Sequence, residues 1–403
     1  MGRSQRLRHR IQDTNQGKMT LPELIRIQQL CELDWELISV NTEYYTHSFH
    51  PYSSKYVPQI PNRIISSLSL KNELVLDNFV GSGTTLVESR LLGRNSIGID
   101  INPLACLISS VKTTTISPST IREISRFLLN LQCAILEYRK NARLVGSEFV
   151  LAELTLDSKL NSNLKKWYHP NVICELHLII NNINAINDPY AKDFLKVAFS
   201  SLLRSVSNSK SGFGNLMINK QPAPKERIFE RFSLATARML RNANDFSKAA
   251  SNSDVKVLNG DSRNISFIED NSVDLICTHP PYMAAVPYVE YQRLSLWWLG
   301  YDLSYLEDNM IGGRRSRPDT PQRFFRDMNR ALLEMKRVLR NKKYCCITIG
   351  NPTHRGKMWE LNQIIKRYAV DAGFTFIKEI RRGKYHSTMG KMKEEFVLIL
   401  RKE

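Results

Sequence analysis

Apolar residues along this chain fall into two recurring arrangements, short continuous runs and longer stretches spaced at three and four residues. Leu74-Val75-Leu76-Asp77-Asn78-Phe79-Val80 is a short run that ends in glycines, the pattern of a buried strand feeding a tight turn. Thr84 to Leu92 follows as a helix closed by Gly93. Further strands are predicted at 96–100, 255–261, 273–278, 344–349, 374–380 and 395–400, which makes seven. A long amphipathic helix is predicted over Gln322–Arg340, where Phe325, Met328, Leu332, Met335 and Leu339 recur at helical steps, and another over Trp359–Ala372. Continuous apolar runs alternating with helices predict an α/β fold with a mostly parallel sheet covered on both faces. Only a loop separates the last two strands, so they are expected to pair as an antiparallel hairpin.

About 150 residues separate the second and third strands, more than a helical crossover needs. Helices are predicted there over 121–137, 171–186 and 229–246, with a polar, basic loop over 205–225. The chain therefore divides into a basic leader and amphipathic helix (1–45, the helix spanning 21–40), a catalytic-type α/β unit (46–115 and 251–403) and a helical insertion (116–250). No internal repeat is visible.

Composition narrows the partners. Lys and Arg number 57 against 39 Asp and Glu, a net charge of +18, so a polyanion is the first partner to consider. No run is apolar and long enough to span a membrane, and MGRSQRLRHR is not followed by a hydrophobic core, so neither a membrane nor a secretory route is expected. The seven cysteines show no CxxC pair and no zinc spacing. They predict free thiols in a reducing, cytoplasmic setting, with no metal.

Two turns carry candidate chemistry. In Asn78-Phe79-Val80-Gly81-Ser82-Gly83-Thr84-Thr85 the glycines let backbone N–H groups approach a ligand at a helix N-terminus. A phosphate-cradling loop would need a lysine where Thr84 stands, and a dinucleotide fingerprint a glycine where Leu86 stands. S-adenosylmethionine remains, its ribose met by Asp100 at the end of the second strand, seventeen residues after Gly83. A tight turn with no ligand is the plain alternative. The second turn, Thr278-His279-Pro280-Pro281-Tyr282, is made rigid by consecutive prolines and follows the fourth strand. The Pro280 carbonyl and the His279 side chain can serve as two acceptors beside the Tyr282 ring, a set suited to an exocyclic NH2 on a nucleobase.

With both turns in this order, the chain resembles the amino-methyltransferases of DNA, which modify cytosine N4 or adenine N6. It is most similar to those with a His-Pro-Tyr segment before the glycine turn, here His50-Pro51-Tyr52 within 47–58. Gly98-Ile99-Asp100-Ile101-Asn102-Pro103 and Val286-Pro287-Tyr288 through Tyr301 match as well, so the likeness covers roughly residues 44–110 and 255–400 and leaves the insertion unmatched. The resemblance implies a seven-stranded Rossmann-like methyltransferase fold that uses S-adenosylmethionine. It implies that His50, Pro51 and Tyr52 line the methionine end of the cofactor and that Asn78, Phe79, Gly81 and Gly83 form its floor. Asp100 would bind ribose and Asp261 would sit near the adenine, with Thr84, Asn102 and Thr278 completing the cofactor set. His279, Pro280, Pro281 and Tyr282 would be catalytic, Tyr282 stacking on a flipped base. Where the family has Asp, Asn or Ser this chain has His279, which leaves the base open, cytosine N4 ahead of adenine N6, and leaves room for a weakly catalytic DNA-binding member. Guanine N2 in structured RNA is a further alternative, since related turns serve there.

The implied transfer is a direct displacement with no metal and no covalent enzyme intermediate. No Pro-Cys dipeptide is present, which excludes the C5-cytosine class. Because the amine lies inside a duplex, the base must be flipped out. Double-stranded DNA is the expected partner, and a cognate restriction endonuclease is a further candidate. Tyr288, Arg314, Arg315, Arg317, Arg382 and Lys384 are the candidate nucleic-acid contacts, and Trp297 and Trp298 are expected to pack in the core. If His279 must be neutral to accept from the amine, methyl transfer falls as pH drops below about 6.5, the ordinary imidazole value. His279→Asn is expected to flatten that acid limb, and an unchanged pH–rate profile in the variant would remove His279 from this role.

Overall fold

The computed structural model describes residues 19–146, 158–210, 216–223, 225–283, 287–312, 319–383 and 394–403. A seven-stranded sheet forms its centre. In chain order the strands are β1 (Leu74–Asp77), β2 (Asn95–Asp100), β3 (Val255–Asn259), β4 (Val273–Thr278), β5 (Leu339–Gly350), then β8 (Phe374–Gly383) and β9 (Glu394–Lys402), while β6 (Thr353–His354) and β7 (Lys357–Met358) make a small separate ribbon. The sheet order is β3-β2-β1-β4-β5-β9-β8. The first five strands run parallel, and β9 inserts antiparallel between β5 and β8. All seven expected strands form, and the last two pair as an antiparallel hairpin.

This order reverses direction between β1 and β4, which are neighbours in the sheet though some 200 residues apart in sequence, with Val75 opposite Leu275 and Leu76 opposite Ile276. Such a switch point opens a crevice at the carboxyl ends of the two strands, where open α/β sheets bind ligands. Both chemistry-bearing turns leave those ends.

Strand alternation divides the core between the two faces. Leu76, Ile276, Cys345 and Leu398 point to one face, under Met328, Leu332 and Met335 of α12 (Thr320–Val338) and Ile365 of α13 (Leu361–Asp371). Val75, Leu275, Cys277, Cys346 and Val397 point to the other, under α2 (Gln59–Leu68) and α1 (Leu21–Glu32). Cys345 and Cys346 thus face opposite cores, and all seven cysteines are free.

The first turn leads into α3 (Thr84–Leu91), and β2 into α4 (Pro103–Thr113), which Asn102 caps by accepting from the Leu104 N–H. The region between β2 and β3 is helical: α5 (Pro118–Val145), α6 (Ser158–Trp167), α7 (Pro170–Asn184), α8 (Pro189–Leu202) and α9 (Ile228–Ala249). Their apolar residues join Leu104, Ile108 and Val111 of α4 and Leu294, Leu296 and Trp298 of α10 (Tyr288–Trp298) in one cluster. The insertion therefore shares its core with elements that flank the crevice. α11 (Leu303–Asn309) follows α10. No helix among the described residues is long and apolar enough to cross a membrane.

The helix expected over 21–40 is shorter than its pattern suggested. It stops at Glu32, where the Trp35 indole N–H folds back to donate to the Leu30 carbonyl, and Leu37 and Ser39 take positive φ angles of 54° and 60° that a helix cannot accept.

Gly98 is where β2 packs under the glycine turn. A Cβ there would lie 2.6 Å from Val80 Cγ2 and 2.7 Å from Leu86 Cδ2. Gly98→Ala is expected to destabilise the protein by roughly 1–3 kcal/mol through overpacking, seen as a lower thermal midpoint. An unchanged midpoint would mean that the turn can retreat at no cost.

Candidate active site

A cleft of about 830 Å3 opens at the switch point. Its floor is the glycine turn, with Phe79, Val80, Gly81, Ser82 and Thr84 on its surface. Asp100 and Ile101 from the end of β2, Asp261 and Ser262 after β3, and His279 and Pro281 after β4 line it too. Tyr52 through Tyr56 form one wall, and Tyr288 with Asn309, Met310 and Ile311 another.

The floor is organised by two carboxylates. Asp77, buried at the end of β1, accepts from the Phe79 N–H at 3.1 Å and from Thr278 Oγ1 at 2.7 Å, so one side chain joins both turns. Burial pushes its carboxyl up to about 6 against the opposing effect of these hydrogen bonds. Asp100 accepts from the Gly81 N–H at 3.0 Å and the Asn102 N–H at 2.9 Å. Burial likewise raises Asp100 to about 6, with Asp77 adding a smaller push in the same direction. Gly81 and Gly83 have φ of +50° and +79°, and a Cβ on Gly83 would lie 2.9 Å from Ser109. Glycine is required there by conformation and by contact.

Asp261 is held by Arg263 at 2.6 Å, and Arg263 also reaches Asp327 and the Asn309 carbonyl, tying this side of the cleft to α11 and α12. Burial works to raise the Asp261 carboxyl, but hydrogen bonds from Arg263 hold it below its ordinary value. Burial also pushes the Tyr288 phenol up to about 12, so it is a hydroxyl at neutral pH.

Several expected site residues lie behind the cleft surface. His50 is buried, with Nε2 2.9 Å from Ser200 Oγ of α8, and Pro51 is exposed, whereas Tyr52 of the same segment does line the cleft. Asn102 caps α4 and reaches Gln292 with its amide. Thr278 is occupied with Asp77, and Pro280 is buried. Tyr282 does not offer its ring to the cleft as expected. It is buried at 2 % exposure, its hydroxyl donates to Glu395 Oε1 at 2.9 Å, and the same oxygen lies 2.6 Å from His279 Nε2. Burial and the Glu395 charge hold this phenol well above its usual range.

Arg382, expected on DNA phosphates, is a correction. It is buried in an ion pair with Glu395 at 2.7 Å and donates to the Trp35 carbonyl, because β8 carries it inward beside β9. Arg314, Arg315, Arg317 and Lys384 lie outside the described residues.

Two residues at the site had no sequence signal of their own. Tyr56 lies in the quoted His-Pro-Tyr segment. Its ring packs on the His279 imidazole with centroids 4.8 Å apart and planes 30° apart, and its hydroxyl is 2.6 Å from Thr348 Oγ1. Glu395 is simply an acid at the start of a strand, and only the β5-β9-β8 order brings it to Tyr282.

Comparison with known proteins shows what the chain is similar to. A family model described as DNA methylase matches residues 10–110. The type II methyltransferase M.MvaI of Kocuria varians is 26 % identical over 404 residues, covering 85 % of this chain and 86 % of the relative. The type II methyltransferase M.MjaII of Methanocaldococcus jannaschii is 23 % identical, covering 87 % and 80 %. Over these matches the chain is similar to the amino-methylating DNA methylases of the N6/N4 family. Among solved structures, a putative DNA modification methylase from Thermus thermophilus, complexed with S-adenosyl-L-methionine, is 20 % identical over 36 % of this chain and 53 % of that one, with a TM-score of 0.25.

The residues at the floor of the cleft fit S-adenosylmethionine as a cofactor. Both polar atoms of the buried Asn78 amide, and the Thr84 hydroxyl, have no hydrogen-bond partner among the described residues, an arrangement that buried polar groups tolerate when a ligand or water completes it. Asp100 adds an acceptor facing the same space. If its ionised form receives the ribose hydroxyls, cofactor affinity is full above pH 6 and falls as the carboxyl protonates below it, the direction set by its raised value. Calorimetric titration from pH 7.5 to 5 is expected to show this fall, and Asp100→Asn to be weaker by about ten- to a hundredfold and flat across the range. Persistence of the slope in the variant would assign it to another group, Asp77 first.

Proposed function

We propose that the methylase modifies an exocyclic amine within a specific duplex sequence, cytosine N4 ahead of adenine N6, and serves as the modification partner of a restriction endonuclease. The observation that carries this reading is that one cleft is lined both by the glycine turn with Asp100 and by His279 and Pro281. The names of the two relatives, both type II methyltransferases, support site-specific action, since this chain spans most of each.

In this reading Phe79, Gly81 and Asp100 hold the cofactor and Asp261 meets its adenine end. Bound there, the cofactor supplies a methyl group on a sulfonium, an electrophile that needs no metal. The side chain of His279 and the Pro280 carbonyl accept the two hydrogens of the target amine, which orients its lone pair along the line of attack. Tyr56, already packed on the imidazole, fixes the ring, and Met310 and Ile311 exclude water from the opposite wall. Tyr52 and Tyr288 are the aromatic surfaces that the flipped base can meet, the part first expected of Tyr282. The base is taken from the stack at a cost of a few kcal/mol, offset by contacts from the basic surface of a chain carrying +18. The helical insertion reads the sequence. Seven free cysteines agree with work in the cytoplasm.

Transfer of labelled methyl from S-adenosylmethionine to unmethylated duplex DNA, with bulk tRNA in parallel, tests this directly. Nucleosides from the product are expected to contain N4-methylcytosine. N6-methyladenine instead would move the target to adenine, and label only in tRNA would move the substrate to RNA. Cofactor binding with no transfer would make this a DNA-binding member without turnover.

A further inference from the structure

The glycine turn is gripped from behind by α4. Ser109 Oγ donates to the Gly81 carbonyl at 2.8 Å. One helical turn further on, Lys112 Nζ donates to the Ser82 carbonyl at 2.6 Å. Both side chains are buried, and Lys112 is only 1 % exposed. A lysine in such a place costs desolvation, and burial pushes its amine well below the ordinary value. Protonated or not, the amine keeps N–H groups to give.

The turn's peptides are trans, so each C=O and the N–H that follows it point in opposite directions. A carbonyl held toward α4 therefore turns the next N–H away from α4. One of the two N–H groups so placed, that of Gly83, is spent on the Val80 carbonyl at 2.8 Å. The other, that of Ser82, donates to nothing among the described residues, and Ser82 lies on the cleft surface. Thr84, the first residue of α3, lines the same cleft with a buried hydroxyl that has no partner among the described residues. A free N–H, a free hydroxyl and the positive end of a helix together favour a carboxylate.

We infer that Ser109 and Lys112 are positioning residues that hold two successive peptides of the turn, so that the Ser82 N–H and the Thr84 hydroxyl meet the carboxylate at the amino-acid end of the cofactor. This deepens the reading of the cleft as a cofactor site and rests on it. Neither side chain touches the cofactor, and each acts through the backbone that does. Ser109 aims the Ser82 N–H, while Lys112 fixes the peptide after it and with that the start of α3. The grip is needed because glycines flank Ser82 on both sides, and a glycine restrains its neighbouring peptides weakly.

The surroundings make the buried lysine tolerable. Glu88 of α3, itself fully buried, lies close enough for its charge to favour the ammonium form of Lys112. Glu88 is held in turn by the Tyr44 hydroxyl, His47 Nε2 and the Asn62 amide, each at 2.7 Å. Lys55, which donates to the His47 carbonyl at 3.0 Å and lines the cleft, adds a second cation on this side of the turn. An anion on the turn thus has cations beside and behind it, whereas Asp77 and Asp100 stand at the strand ends.

The test compares two ligands on the full-length protein by calorimetric titration. S-adenosylhomocysteine carries the amino-acid end, and 5′-methylthioadenosine shares its nucleoside but lacks that end. The wild type is expected to prefer the first. Lys112→Met is expected to weaken S-adenosylhomocysteine by roughly tenfold and to leave 5′-methylthioadenosine unchanged. In methyl transfer the same variant is expected to raise KM for S-adenosylmethionine by a similar factor, with kcat at saturating cofactor little changed. Thermal midpoints establish that the variants are folded. Should Lys112→Met fail to fold, Ser109→Ala, which removes a single oxygen, carries the test with the same selective loss expected. Equal loss of both ligands, or loss of neither, in a folded variant would overturn the proposal, as would a wild type that does not distinguish the two. Failure of the underlying reading looks different: a wild type that binds neither ligand, which would remove the cofactor from this cleft and the proposal with it.

Discussion

One buried hydrogen bond, from Thr278 Oγ1 to Asp77 Oδ1, joins the two halves of the site. Asp77 ends β1 and begins the glycine turn, and Thr278 ends β4 and begins the proline turn. Neither turn contacts the other through sequence, since about 200 residues intervene. Adjacent parallel strands bring the two ends within reach, and the carboxylate fixes their separation while also accepting from the Phe79 N–H. In the proposed reaction a cofactor on one turn and a base on the other would have to be placed to within a fraction of an ångström. The raised carboxyl of Asp77 reflects the cost of burying this link.

The insertion contributes to the same rigidity. His50 meets Ser200 of α8, Asn242 of α9 donates to Ser48, and apolar residues from α5 to α9 form one cluster with α4 and α10. A region that packs against the crevice wall can pass displacement on to the site, because a close-packed core transmits it.

Much of this architecture was legible in the sequence because it depends on local pattern. Buried strands such as Val273–Thr278 are nearly continuous apolar runs, and glycines at 81 and 83 mark a turn by chemistry that no other residue supplies. Tertiary effects escaped the pattern. The amphipathic signal of α1 continued past Glu32 because Trp35 and Leu37 are buried, though in a non-helical chain. Arg382 looked like a surface cation because its neighbours are polar, and its burial is settled by Glu395 on the paired strand. Tyr282 was correctly placed after β4, but the direction of its ring depends on that same distant carboxylate.

β9 has a further significance. It is the strand latest in sequence, yet it occupies an interior position between β5 and β8 rather than an edge. It supplies the hydrogen-bonding partner of β5 on one side and of β8 on the other. The docking strand also brings Glu395 to Tyr282. Glu395 therefore reaches Tyr282 only with β9 in place between β5 and β8, so the sheet order itself completes the polar chain behind the imidazole.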